Sequence, residues 1–131
     1  MDNKFKIRSK KLLRAADGQA CVNCGVRDDT VVAAHYQGMR QGQFGKGTST
    51  KPHDLCIADL CSKCHREFDS FEGSYVKDPL MRKVDLSERF LFCVMMTLIR
   101  RTQDGTLYTD DLVRPYPRGG SNANQRIYGL D

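Results

Sequence analysis

Four cysteines in two pairs, Cys21 with Cys24 and Cys61 with Cys64, have the CxxC spacing that folds two thiolates onto one metal ion, with 36 residues between the pairs. Four thiolates close a tetrahedral zinc site. They leave no position for water or substrate, so such a site does structural work; a redox centre or an iron–sulfur cluster is the alternative. Directly after the second pair come His65 and Asp69, four apart, a spacing that sets an imidazole and a carboxylate on one face of a helix. That pair suits a hard divalent cation such as Mg2+ or Mn2+, or a borderline one such as Ni2+ or Zn2+. The remaining histidines are His35 and His53, and the remaining cysteines, Cys56 and Cys93, stand alone in apolar segments where they read as small buried hydrophobes.

These residues need elements to hold them. "SKKLLRAADG", residues 9–18, predicts a short helix with Leu12, Leu13 and Ala16 on its apolar face and Gly18 as its stop. Gly25, just after "CVNC", lets the chain turn tightly enough for amides to point at sulfur. "TVVAAH", 30–35, is β-branched and apolar and predicts a strand ending on His35; "LCIADL", 55–60, predicts a second. Between them lies a glycine-rich loop, 36–54, of the length that is usually functional or disordered. "CSKCHREFDSF" predicts a helix opening on the second cysteine pair. "DLSERFLFCVMMTLIRR", 85–101, predicts the longest helix, with Asp85 as N-cap, Glu88 completing a capping box, and Arg100 and Arg101 suiting the C-terminal dipole.

Composition narrows the class. The chain has 131 residues, no tryptophan and six cysteines, which fits one small domain that needs a staple. Its longest apolar run, residues 90–99, is too short to cross a bilayer, and the basic start is followed by no apolar stretch of a signal peptide. A cytoplasmic setting, reduced thiols and no membrane partner are therefore expected. The net charge of +5 is concentrated in residues 1–14, where Lys4, Lys6, Arg8, Lys10, Lys11 and Arg14 face only Asp2. A basic end of this kind suits a phosphate backbone, or serves only as a solvated, solubilising segment.

The order knuckle, hairpin, then helix carrying the second ligand pair is a treble-clef arrangement, in which His35 and His65 would face each other across a small cleft. A strand ending in His, a glycine-rich loop, a polar residue before Leu and a "CxxCH" helix resemble the HNH endonucleases, the ββα-metal or His-Me-finger group. More closely, "KLLRAADGQAC", "AAH", "GKGTSTKPHDL" and "CSKCHREFD" look like the YbcO-type family of small prophage-encoded nucleases. The resemblance covers residues 9–72. It implies His35 as general base, Asp54 at the central Asn position to orient that base, and His65 as a metal ligand. Asp69 falls where bacteriocin-type members place a second helical histidine. It also implies a structural zinc on the four cysteines, a second divalent cation for catalysis, and His53 as an auxiliary ligand or phosphate donor. This chain departs from the pattern at Ala34, where such enzymes commonly carry an Asp or His ligand.

The expectation is an α+β fold. It comprises a basic segment and helix at 1–18, a treble-clef HNH-like core at 19–73, a linker and helix at 74–104, and an extended, flexible tail at 105–131. The function implied is a metal-dependent endonuclease or nickase of phage or prophage origin. It would cut DNA with low sequence preference and grip phosphates through Lys10, Lys11, Arg14, Arg40, Lys46 and Lys51. A zinc-stabilised DNA-binding or recombination accessory protein without catalysis, working with phage or host recombination proteins, is the other reading. The oligomeric state is left open.

Overall fold

A computed structural model describes residues 6–47 and 50–107; the tail expected from residue 105 lies outside the described residues from 108 onward. The first helix, α1, spans Lys10–Arg14, and the hydroxyl of its N-cap Ser9 accepts from the Leu12 amide at 3.2 Å. It is shorter than the predicted 9–18. Beyond Ala15 the amides of Ala16 and Asp17 reach back only three residues, and the segment proceeds as turns to Gly18 at φ +80°. Leu12 and Ala16 are buried beneath it.

The two predicted strands form one antiparallel pair, β1 (Val32–His35) and β2 (Ile57–Leu60), in the register Val32↔Leu60 to His35↔Ile57. The ladder continues one step as Tyr36 N donates to Cys56 O at 2.9 Å. Because side chains alternate across a strand, each face of this hairpin has its own composition. Ala34, Tyr36, Ala58 and Leu60 enter the main core, joined by Cys64 and Phe68 of α2 (Ser62–Ser70) and by Leu86, Phe90, Cys93 and Val94 of α3 (Pro79–Gln103). His35, Ile57 and Asp59 point to the other face, where the N-terminal segment and α1 lie.

The long loop between the strands is pinned to this core. Tyr36 meets Phe90 edge-on at 5.2 Å between ring centroids and Phe44 at 5.5 Å, while Phe90 stacks on Phe68 at 4.8 Å. Phe44 closes a single 3-10 turn, Gln41–Phe44, so the loop has an anchor in its middle. Gly38 is required by sterics: a Cβ there would sit 2.2 Å from the Tyr36 hydroxyl oxygen.

Helix α3 corrects a prediction. It starts at Pro79 behind Asp78, six residues before the predicted N-cap. Asp85 is inside it, accepting from the Ser74 hydroxyl at 2.8 Å, and the predicted capping box with Glu88 does not form. Proline at the first helical position lacks only an amide that would go unbonded anyway, so "KDP" starts the helix rather than interrupting a linker.

The arginines expected to serve the dipole of α3 turn inward instead. Arg101 is fully buried and donates through Nη2 to Asp59 Oδ1 at 2.5 Å and through Nη1 to Oδ2 at 2.9 Å. Arg100 adds Nη1 to Oδ2 at 2.8 Å and also donates to Ala20 O at 2.9 Å. Arg101 Nε reaches Leu12 O at 3.1 Å, and the Asp59 amide donates to Thr97 Oγ1 at 3.0 Å. One carboxylate in β2 thus joins α3 to the hairpin, to α1 and to the segment before the first cysteine pair. Removing one partner of such a buried pair strands the other charge. Asp59→Asn and Arg101→Met should each lower unfolding stability in urea by about 3–5 kcal/mol, whereas Arg100→Met, at the half-exposed edge, should lose clearly less.

Candidate functional site

Cys21, Cys24, Cys61 and Cys64 gather with all four sulfurs within 4.8 Å of one another. Cys24 Sγ and Cys61 Sγ are 3.7 Å apart, close to the ~3.8 Å edge of a tetrahedron with zinc–sulfur bonds of about 2.3 Å. The donor set and its spacing therefore fit one zinc ion. Local structure explains the approach: Gly25 at φ +85° turns the chain so that its amide returns to Cys21 O at 2.9 Å, and Cys61 caps α2 so that Cys64 lies one turn in. Burial pushes the Cys21 thiol up, but the amides of Cys24, Cys61 and Asn23 outweigh it and bring it down to about 7. Burial pushes the Cys64 thiol up, only partly offset by Asn23, whose Nδ2 donates to its sulfur at 3.2 Å. Cys93, buried in the core, is pushed up to about 12 by desolvation, as suits a thiol that packs and does not ligate.

The second constellation divides in two. At the end of β1, His35 Nε2 lies 2.7 Å from Asp54 Oδ1, and the Asp54 side chain is only 3 % exposed. The other carboxylate oxygen accepts from the Ser9 amide at 2.7 Å, and Arg8 Nη1 stands 3.3 Å from Oδ1. With Asp54 accepting from Nε2–H, the neutral imidazole keeps its lone pair on Nδ1, which is the arrangement of an oriented general base. Burial alone would raise the Asp54 carboxyl. The hydrogen bonds from His35 and Ser9 and the charges of His35 and Arg8 outweigh it and hold that carboxyl below the ordinary range.

On α2, Cys64 and Phe68 face the core while His65 and Asp69, each one residue further round, are half-exposed. His65 Nε2 and Asp69 Oδ2 are 3.2 Å apart, as the four-residue spacing predicts. Burial pushes the Asp69 carboxyl up, with His65 opposing the shift. Ala34, 2 % exposed, occupies the strand position that packs with Cys64 and Phe68, and His35 turns to the N-terminal segment. Among the described residues, the four cysteines form the one group of three or more His, Cys, Asp or Glu that could hold a metal, so His65 and Asp69 remain a pair.

His53 is buried, and its Nδ1 accepts from the Ile7 amide at 2.9 Å. In the neutral ring this leaves Nε2–H as a donor, which removes the metal-ligand role and keeps the phosphate-donor one. Lys10, Lys11, Arg14, Arg40 and Lys51 are exposed and Lys46 is half-buried. Sequence reasoning passed over Arg8 as a site residue. Its guanidinium also donates to Pro52 O at 2.6 Å and Lys51 O at 3.0 Å, fastening the basic N-terminal segment beside His35. No short-range pattern links residues so far apart in the chain.

No protein-family model, curated protein or solved structure matches the chain.

Two outcomes follow from this geometry. Stripping the thiolate site with a strong chelator should release one zinc per chain, read with a chromophoric dye, and abolish the cooperative thermal transition; Cys93→Ala should leave that stoichiometry intact. Asp54 has a folded-state carboxyl held below its unfolded value, so its contribution is present above the unfolded pKa and lost as pH falls through the folded one. The stability gap between the parent and Asp54→Asn should stay constant above about pH 5 and shrink below about pH 4, as measured by urea unfolding.

Proposed function

We propose that the protein is a phosphodiester-cleaving HNH-type endonuclease or nickase acting on DNA, with His35 as general base and Asp54 as the group that orients it. The observation that carries this reading is the 2.7 Å contact between His35 Nε2 and the buried Asp54 carboxylate, at the end of a strand whose hairpin leads into the helix bearing the second cysteine pair. His35 Nδ1 would take a proton from water as its oxygen attacks phosphorus, and the 3′ oxygen would leave. Arg8, itself close to Asp54, with Lys10, Lys11 and Lys51 following or facing it along the chain, gives this side the positive charge a phosphate backbone requires. The reading takes the resemblance to the YbcO-type prophage nucleases, with their treble-clef zinc core, as its frame.

His65 and Asp69 would hold a divalent cation, which when bound would supply charge to the phosphate. As a donor set they are incomplete. Two side chains reach the site, Ala34 adds no third, and nothing in the mechanism above is routed through the cation. Ala34 is also the observation that favours the second reading, a DNA-binding or recombination accessory protein that keeps the zinc fold without catalysis.

A nicking assay on supercoiled plasmid with Mg2+, Mn2+ or Ni2+ separates the two. The parent should nick, and His35→Ala should lower the rate by about 10²–10⁴-fold while leaving salt-sensitive DNA binding unchanged. His65→Ala should stay folded and lose metal-stimulated cleavage. Equal nicking by parent and His35→Ala sinks the proposed base; tight binding with no cleavage under any metal favours the accessory protein.

A further inference from the structure

Asn23 sits between Cys21 and Cys24 in the chain, yet its side chain turns to the other cysteine pair. Its Nδ2 donates to the Cys64 sulfur at 3.2 Å, and Arg89 Nη2 of α3 stands 3.5 Å from its Oδ1. The two neighbours fix the direction of the amide. A guanidinium has no acceptor and a thiolate no donor, so the oxygen must face Arg89 and the nitrogen must face sulfur. Arg89 is steadied in turn. Its guanidinium lies over the Phe68 ring, 5.9 Å from the centroid, with Nη1 3.5 Å from Gly73 O and 3.9 Å from Asp85 Oδ2.

Four thiolates carry more negative charge than a zinc ion neutralises, and buried charge is costly unless donors face it. Solvent reaches Cys24, which is exposed, whereas Cys21, Cys61 and Cys64 are buried. Cys21 accepts from the Cys24 amide at 3.5 Å; at Cys64 the donor is the Asn23 side chain. We propose that Asn23 and Arg89 form a relay that holds zinc through Cys64, the amide drawing charge from the thiolate and Arg89 acting through the amide to orient and polarise it. Helix α3 then takes part in metal retention without giving a ligand. A shallow groove of ≈ 150 Å³ runs past these groups, lined also by Glu67 and Glu72. Glu67 pairs with Lys63 at 3.4 Å, and Arg89 is the cation in the lining, so nothing else along the groove does its work. The relay rests on the four-cysteine site alone and is independent of the nuclease reading.

Two readouts on the full chain test the relay: zinc affinity by competition with a chromophoric chelator, and the thiolate-to-metal charge-transfer band of the Co2+-loaded protein. Asn23→Asp keeps the shape but puts an acceptor-only carboxylate against the sulfur. It should weaken zinc binding by about 10–100-fold. It should also move the cobalt band to longer wavelength, because a thiolate without its N–H donor gives up charge more readily. Arg89→Met should weaken zinc binding in the parent yet cause no further loss in Asn23→Ala. Arg89 is half-exposed, so Arg89→Met saturated with zinc should keep the parent's far-ultraviolet circular dichroism. The proposal is overturned if Asn23→Asp holds zinc as tightly as the parent or leaves the cobalt band in place. It is equally overturned if Arg89→Met has no effect in the parent, or an undiminished one in Asn23→Ala. Should Asn23→Asp fail to fold with zinc, the Arg89 comparison decides.

Discussion

A carboxylate in the middle of a strand, wholly removed from solvent, must be answered by charge, because leaving it unpaired would cost several kcal/mol. Asp59 is that carboxylate, and its two guanidinium partners come from the far end of a 25-residue helix. The demand is strict enough to fix where α3 ends. Arg101 has to reach Asp59, and in doing so its Nε lands on Leu12 O, while Arg100 lands on Ala20 O. The Asp59 amide and carbonyl lie on the open edge of the hairpin and are taken by Thr97 Oγ1 and the Val22 amide. A two-stranded sheet of four residues per strand has little stability alone. Here its outer edge is closed by a helix and a knuckle that one ion pair holds in place.

The zinc-type cluster works beside it, at the same end of the hairpin. Cys61 and Cys64 begin α2 directly after β2, and Asn23 links Cys64 toward Arg89 of α3 at 3.5 Å. The thiolate cluster and the Asp59 pair together hold the Val32↔Leu60 end of the hairpin, and its two faces are free to differ. One is apolar and packed. The other receives the basic N-terminal segment, which has no core of its own and is held by polar bonds: the Ile7 amide to His53, the Ser9 amide to Asp54, and Arg8 to the carbonyls of Lys51 and Pro52.

What could be read from the sequence follows from this division. Contacts between near neighbours are written as spacing, so the two cysteine pairs, the His65–Asp69 step and the helix they share were legible. The strands were legible from β-branched runs, to within two residues at their starts. The start of α3 was not, because Pro79 fell in the segment assigned to a linker, where it serves as a first helical residue. Asp59 with Arg101 was not, since a lone acid in an apolar strand and a double arginine on a distant helix have no short-range signal joining them. A buried carboxylate in "LCIADL" was the available clue, and it asks for a cation without saying which. His35 and Asp54 were named together through a resemblance. Arg8 and Ser9, which complete the environment of Asp54, could not be read from spacing.

Strand alternation then bears on chemistry. Residues 34 and 35 are neighbours in sequence and opposites in space. A ligand at position 34 would point toward α2, where His65 and Asp69 stand, while a base at 35 points toward the N-terminal segment. The resemblance implies a base at 35 and, commonly, a cation ligand at 34. In the proposed reading position 35 would supply the base, while position 34 carries a methyl group, buried in the core cluster with Phe68 and Cys64. Asp54 holds two things at once. The same carboxylate that contacts His35 also binds the Ser9 amide and stands beside Arg8, so the imidazole and the basic segment share one partner. In this fold the segment that would grip a phosphate backbone and the imidazole that would act on it are set by one side chain.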